Sequence, residues 1–145
     1  MYTGFEIFPE DREALARRYP PKNATWLGHH ITEKFGVPAN QDPPPPPKSV
    51  VIVEYLEDEG IEGFLVEVNG SVHRPSGGKY HLTWSIDKTK GRRPADTNKI
   101  VDNGKRIERK IPLRVTPKTF TKSTEKALKE EINFLNFLKH SKHSS

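Results

Sequence analysis

The sequence predicts an α+β fold with a mostly antiparallel sheet. Strand-like segments outnumber helical ones, and the helical patterns Pro9–Arg18 and Thr121–His140 lie near the two ends of the chain. Between them, Ser49–Tyr55 and Ile61–Val68 are rich in β-branched residues and are separated by a short turn containing Gly60. Such a pair is typical of a β-hairpin. Strands in the middle of the chain with helices outside them favour α+β architecture.

The 145 residues fit one domain. We assign residues 1–140 to this domain and residues 141–145 to a flexible basic tail. The apolar content of 32% and the 13 prolines predict a compact core with much loop. Residues 38–48 form a proline-rich surface loop, in which Pro43–Pro47 favours a polyproline II conformation that cannot donate hydrogen bonds to a sheet. A stiff spacer explains this run better than a ligand for a recognition module.

The first third of the chain contains a strand, a helix and a second strand. Met1–Phe8 alternates enough to form a strand or an extended lead-in. A helix begins at Pro9, with acidic residues in its first turn, and runs to about Arg18. Its inward side chains are expected to be Ala14 and Leu15. Trp26–Phe35 is predicted as one strand.

The remaining elements follow from turn signals and periodicity. Asn69-Gly70 is a turn, and the glycine-rich segment Ser71–Lys79 is a mobile loop. The predicted elements after it are a strand over Tyr80–Asp87, a short helix over Ala95–Val101, a strand over Lys105–Val115 and an amphipathic helix over Thr121–His140.

Two short histidine motifs lie within predicted strands. One is His30-Ile31-Thr32 and the other is His81-Leu82-Thr83. Successive side chains on a strand point to opposite faces, so the histidine and the threonine of each motif share a face. The central apolar residue of each motif then points the other way. If the two strands are neighbours, two imidazoles and two hydroxyls converge on one cleft.

This combination suits acid–base chemistry at a phosphodiester. Cleavage without a metal needs a base for the attacking hydroxyl, an acid for the leaving oxygen, and donors for the phosphoryl oxygens. Histidine serves both proton roles because its ordinary pKa lies near neutrality. A threonine hydroxyl can donate to a nonbridging oxygen. One such triplet alone has little specificity, and histidines and threonines on strands also occur as ordinary structural residues.

The two motifs together resemble those of the two-histidine (2H) phosphoesterase superfamily. Its members include the LigT-like RNA cyclic phosphodiesterases and a viral branch that contains phage anti-CBASS nucleases. The chain is most similar to that compact viral or Swiss-army-knife branch through His30-Ile-Thr32 and Tyr80-His-Leu-Thr-Trp-Ser85, followed by Gly91-Arg-Arg-Pro94 and Asn98. The resemblance covers residues 1–115, and only the two triplets are specific.

The resemblance implies a compact bilobal fold with a concave sheet flanked by helices. It also implies a metal-independent phosphodiesterase with no cofactor. The residues carried over are His30 and His81 as acid and base, with Thr32 and Thr83 as phosphate holders.

Five further residues are weaker candidates for substrate binding. Strand alternation places Trp26 and Lys34 on the face of His30, and Ser85 on the face of His81. Tyr2 and Trp26 are aromatic residues suited to stacking on a base. Arg93 follows the second motif and is suited to guiding an anion.

Composition excludes several classes of function. The absence of cysteine excludes disulfides, thiolate nucleophiles and cysteine-based zinc sites. The net charge of +5 favours an anionic partner such as RNA or a nucleotide. No apolar run has the length of a membrane span, and the N-terminus lacks a signal pattern. We therefore expect a cytoplasmic protein (host cytoplasm for a viral protein) with no membrane association and no obligatory protein partner.

The leading hypothesis is a phosphodiesterase that cleaves cyclic oligonucleotides or related nucleotide linkages. An RNA-end 2′,3′-cyclic phosphodiesterase acting in RNA repair is the alternative enzyme. A basic, non-catalytic protein that binds nucleotides or RNA is the alternative from another class. A zinc site formed by His29, His30, His73 and His81 is a further alternative. We expect no metal, because cysteine is absent and strand alternation turns His29 away from His30.

Overall fold

A computed structural model describes residues 1–121. Apart from Thr121, the helix predicted over Thr121–His140 lies outside the described residues, as does the predicted tail 141–145. Within residues 1–121, no helix is both long and apolar enough to cross a lipid bilayer.

The described chain is α+β with a mostly antiparallel sheet, as predicted. It has eight strands, one α-helix and two 3₁₀ helices: β1 (Tyr2–Ile7), α1 (Pro9–Arg18), β2 (Thr25–Trp26), β3 (His30–Phe35), β4 (Val50–Asp58), β5 (Ile61–Val68), β6 (His81–Ile86), 3₁₀ helices over Lys88–Lys90 and Pro94–Lys99, β7 (Lys105–Pro112) and β8 (Val115–Phe120). The strand order is β7-β4-β5-β6-β3-β1-β8, with β2 pairing with β6. Every pair among these strands is antiparallel.

The sheet is strongly curved. Its edge strands, β7 and β8, are joined only by Leu113 and Arg114. Two intervening residues span at most about 11 Å between the strand ends. Seven flat strands would separate their edges by roughly 29 Å. The two edges therefore come together at this end of the sheet, where the backbone N–H of Leu113 donates to the Val50 carbonyl.

One face of the sheet packs against α1. The helix begins at Pro9, a residue whose fixed φ suits the first helical position. Leu15 is buried in the main core, but Ala14 is exposed, so that part of the prediction was wrong. Arg12 is buried instead, with its Nε donating to the Leu27 carbonyl at 2.8 Å and its guanidinium 3.4 Å from the Trp26 ring centroid.

The other face carries a smaller apolar cluster. Leu56, Ile61 and Ile86 pack there with Ile100, which follows the Pro94–Lys99 helix. The helix covers part of this face and packs mainly against β5 and β6. The neighbouring surface of β3 and β6 is left open as a cleft.

Two strands differ from the sequence prediction. The segment predicted as one strand, Trp26–Phe35, is split into β2 and β3, because Gly28 adopts a φ of 85° between them. The strand predicted over Lys105–Val115 ends at Pro112, and the chain then crosses to the opposite edge of the sheet. The predicted hairpin is confirmed as β4 and β5, which turn at Glu59-Gly60.

The proline run lies in the connection between β3 and β4. Pro44 is buried and Pro47 is half-buried, whereas the three other prolines of the run are exposed. This three-residue spacing is typical of polyproline II. The Thr119 hydroxyl fixes the preceding part of the loop by donating to the Gln41 carbonyl at 2.6 Å.

Candidate active site

The two histidine motifs lie side by side in the middle of the sheet. β3 and β6 are antiparallel neighbours, paired at Ile31 and Leu82, and both of these central residues are fully buried in the main core. Extended by one residue in each direction, this register sets His30 opposite Thr83 and His81 opposite Thr32. The two histidines therefore lie on a diagonal of the strand pair, at a backbone separation of about 7–8 Å. One phosphoryl group fits between two imidazoles at that spacing.

The threonine of each motif faces a glycine on the next strand of the sheet. The threonine of the first motif pairs with Gly4 on β1, and that of the second pairs with Gly63 on β5. Neither glycine can be enlarged without displacing its neighbours: a Cβ on Gly4 would lie 2.2 Å from the Ile31 carbonyl oxygen, and one on Gly63 would lie 3.0 Å from that of Leu82. The two motifs thus occupy matching, closely packed positions.

Each motif strand also contains a β-bulge directly after its threonine. The pairing skips Glu33 on β3 and Trp84 on β6. An extra residue reverses the alternation of side chains beyond it. Phe35 and Ile86 consequently line the cleft. No local residue pattern in the sequence predicts these bulges.

Lys34 and Ser85 therefore do not share the faces predicted for them. Lys34 is exposed outside the cleft. Ser85 is fully buried, and its hydroxyl donates to Glu62 at 2.5 Å and accepts from the Asn23 side chain at 3.0 Å. The predicted position of both residues was wrong, because a bulge precedes each of them in its strand.

The bulged strands form the floor of a cleft of about 580 Å³. Six of the nine predicted site residues line it: Tyr2, His30, Thr32, His81, Thr83 and Arg93. The predicted convergence of the two motifs is confirmed. Trp26, Lys34 and Ser85 do not line the cleft.

Trp26 and His29 lie on the opposite faces from those predicted, because the strand breaks at Gly28. His29 lines the cleft and Trp26 does not. Trp26 packs edge-on against Trp84, with ring centroids 5.8 Å apart. His29 precedes β3 and lines the cleft, although alternation had placed it on the other face. Its Nε2 is buried without a hydrogen-bond partner among the described residues. Burial, aided by the nearby charge of Arg12, lowers the pKa of His29 to about 3, so this ring is neutral near pH 7.

His81 is held in one tautomer by the backbone. Its Nδ1 lies 2.9 Å from the Lys79 carbonyl oxygen. Because a carbonyl only accepts, we assign the proton to Nδ1, which leaves Nε2 for the cleft. Burial lowers the pKa of His81 below its ordinary value; the Lys79 carbonyl acts in the opposite sense, and the charge of Arg74 reinforces the lowering.

His30 has a more apolar setting. Its ring lies 5.2 Å from the Tyr2 ring and 5.1 Å from the Phe120 ring, measured between centroids. Burial is the main cause that lowers the pKa of His30 to about 4, and repulsion from His81 adds to it. The environment therefore favours neutral His30 more strongly than neutral His81.

The hydroxyl of Thr83 has two hydrogen-bonding neighbours. The Thr83 hydroxyl lies 3.1 Å from the Pro94 carbonyl oxygen and 2.8 Å from the hydroxyl of Thr97, a fully buried residue. A hydroxyl has one proton to donate. If Thr97 donates to Thr83, the proton of Thr83 is shared between Pro94 and any anion in the cleft. Thr97 was not predicted from the sequence, and no motif marks it.

The rim of the cleft is basic. Lys88 and Arg93 are exposed there, together with Asn98, and no aspartate or glutamate lines the cleft within the described residues. At the other end, Phe35 presents a ring that is 57% exposed. The cleft therefore combines the imidazoles and hydroxyls of the two motifs, a third imidazole from His29, an aromatic surface and uncompensated positive charge. This combination is suited to a nucleotide phosphate.

The histidines in residues 1–121 do not form a metal-binding cluster. His29, His30 and His81 line the cleft, whereas His73 lies exposed on the loop before β6. No group of three or more His, Cys, Asp or Glu side chains in this part of the chain is arranged to hold a metal ion.

Comparisons with protein-family models, with curated proteins and with solved structures find no match to this chain.

Proposed function

We propose that this protein is a metal-independent phosphodiesterase that uses His30 and His81 as its base and acid. The observation that supports this most directly is the placement of both histidines and both motif threonines in one cleft, on adjacent strands paired at Ile31 and Leu82. The matched glycines and bulges around the two motifs argue against a chance approach of two structural histidines.

The environments of the two rings suggest their roles. His30, which has the stronger preference for the neutral form, is the general base. His81, whose Nδ1–H donates to a carbonyl, keeps a second proton more readily and is the general acid. His30 takes a proton from water or a ribose hydroxyl as its oxygen attacks phosphorus. The bond to the leaving oxygen breaks, and that oxygen receives the proton from Nε2 of His81. Exchange with solvent then restores both rings.

The threonines and the cleft walls hold the substrate. Thr32 and Thr83 donate to the nonbridging phosphoryl oxygens, and Phe35 and Tyr2 are positioned to stack on a base. The substrate class is a cyclic oligonucleotide or a related nucleotide diester. A bilobal 2H-type fold and a role as a viral enzyme against cyclic-oligonucleotide immune signals are parts of the same proposal and follow from the resemblance of the motifs.

The test is an incubation in excess EDTA with cyclic di- and trinucleotides and with an RNA ending in a 2′,3′-cyclic phosphate, analysed by chromatography. We expect cleavage of a cyclic oligonucleotide that persists in chelator and is lost in His30→Ala and His81→Ala. Thermal unfolding of each variant separates lost catalysis from lost folding. Full activity in either folded variant would refute the assignment of that histidine.

The same panel distinguishes the alternatives. Cleavage confined to the RNA terminus identifies an RNA-end cyclic phosphodiesterase. The basic cleft would also suit a protein that only binds nucleotides. Tight binding of a cyclic dinucleotide without any product would support that function in place of catalysis.

A further inference from the structure

The five cations between Lys88 and Lys99 fall into two groups. Lys90, Arg92 and Lys99 form ion pairs with Glu59, Asp58 and Asp96 respectively, at 3.3, 3.0 and 3.1 Å. Lys88 and Arg93 form no ion pair among the described residues, and both line the cleft. Within residues 88–99, the three cations outside the cleft are therefore paired with acidic side chains, and the two that line the cleft are not.

This difference is caused by the two 3₁₀ helices. In the first, the Asp87 side chain caps the start by accepting from the Thr89 backbone N–H at 2.9 Å. Lys88 and Lys90, on either side of Thr89, then diverge, one towards the cleft and the other towards Glu59. In the second, Asp96 accepts from the Arg93 backbone N–H at 2.9 Å, which fixes the backbone at the start of this helix, and the Arg93 side chain lines the cleft.

The position of these cations relative to the histidines is also defined. Arg93 immediately precedes Pro94, whose carbonyl lies beside the Thr83 hydroxyl. In the register of β3 and β6, Thr83 lies beside His30. The aromatic ring of Phe35 lies towards the other end of β3, beyond Thr32. A ligand centred on the two histidines therefore meets Phe35 on one side, with the Arg74 guanidinium 5.4 Å from its ring centroid, and Lys88 and Arg93 on the other side.

We propose that Lys88 and Arg93 form a second phosphate subsite, so that the preferred substrate carries at least two phosphodiester groups. One phosphate lies between the histidines with its base towards Phe35, and the next phosphate along the backbone is bound by Lys88 and Arg93. This substrate is an oligonucleotide, linear or cyclic, and not a mononucleotide cyclic phosphate. The inference rests on the proposed function only for the identity of the anion as a nucleotide phosphate.

Binding measured by calorimetry tests the subsite independently of catalysis. The ligands are a cyclic dinucleotide, with two phosphates, and a 2′,3′-cyclic mononucleotide, with one. Both are titrated into His81→Ala protein, which blocks turnover, and into the same protein carrying Lys88→Gln and Arg93→Gln. The matched control carries Lys90→Gln and Lys99→Gln, which remove the same charge from cations paired outside the cleft.

We expect Lys88→Gln with Arg93→Gln to weaken binding of the cyclic dinucleotide at least roughly tenfold more than binding of the mononucleotide. The control pair should affect both ligands equally and weakly. Equal losses for the two ligands, a loss as large in the control, or no binding of either ligand would overturn the subsite. A selective loss without any cleavage by the unmodified protein would support the subsite and refute the phosphodiesterase.

Discussion

The assignment of His81 as the acid and His30 as the base predicts how each variant responds to the leaving group. A general acid matters only when the leaving oxygen needs a proton. A ribose oxygen needs one, whereas p-nitrophenolate leaves as a stable anion. The two variants should therefore behave differently with a cyclic dinucleotide and with the p-nitrophenyl ester of a nucleotide.

The magnitudes follow from the environments of the two rings. With its pKa lowered to about 4, His30 is protonated in only about one molecule in a thousand at pH 7. Nearly every molecule therefore has a neutral His30 that can accept a proton. Removing a general acid costs about 10²–10⁴ in rate. His81→Ala should lose that factor on the cyclic dinucleotide and less than about tenfold on the nitrophenyl ester. His30→Ala should lose about 10²–10⁴ on both substrates, because attack needs the base in each case.

The assay is kcat measured by chromatography for the dinucleotide and by absorbance for the ester, with circular dichroism to verify folding. His81→Phe, which keeps a ring of similar size without proton transfer, serves as a second variant at this position. If the ester restores His30→Ala and leaves His81→Ala inactive, the roles are reversed. Equal losses of kcat for both alanine variants on both substrates would show that neither histidine acts as the general acid alone.

Three further predictions follow from the described contacts. The pH profile of kcat/KM should be bell-shaped with its maximum below pH 6.5. Activity falls on acidification near pH 4 as the base His30 is protonated, and it falls on the alkaline side as the acid His81, whose pKa is also lowered, loses its proton. A maximum above pH 6.5 would contradict this assignment. Thr97→Val should lower kcat by roughly tenfold with little change in KM, because the Thr97 hydroxyl, 2.8 Å from the Thr83 hydroxyl, orients it. Thr97→Ser keeps a hydroxyl and should restore kcat. Equal activity of the two variants would contradict the positioning role. Gly28→Ala should lower the free energy of unfolding, measured in urea, by at least about 1 kcal/mol more than Gly36→Ala does. Both glycines have a positive φ, but only a Cβ on Gly28 meets Trp84, at 2.4 Å. Equal losses of stability in the two variants would show that Trp84 moves aside.

Strand alternation located the catalytic candidates because it holds over the three residues of each motif. His30 and Thr32 lie on one face with Ile31 buried on the other, and the second motif repeats this arrangement. The same rule failed two residues further on. A bulge depends on how two strands pair, so it is a property of neighbouring backbones rather than of one segment. The residue types at the two bulges, Glu33 and Trp84, do not predict them.

Contacts with residues distant in sequence decided the remaining differences. Ser85 was predicted as a candidate for substrate binding, but its hydroxyl donates to the buried carboxylate of Glu62. Of the two arginines after the second motif, Arg92 is bound to Asp58 and to the Glu59 carbonyl, which leaves Arg93 for the cleft. Partners as distant in sequence as these are visible only after folding.

The sequence by itself determined the fold class of this protein, most of its elements and the side chains of the two motifs. Periodicity and turn residues defined the antiparallel α+β architecture, and the repeated triplet supplied two imidazoles and two hydroxyls with the correct orientation. Only the tertiary structure decided that β3 and β6 are neighbours, that their bulges bring Phe35 into the cleft, and that a carbonyl holds His81 in one tautomer. The reason is physical: local sequence sets the direction of a side chain within a strand, whereas proximity, burial and pKa depend on contacts between strands that are far apart in the chain.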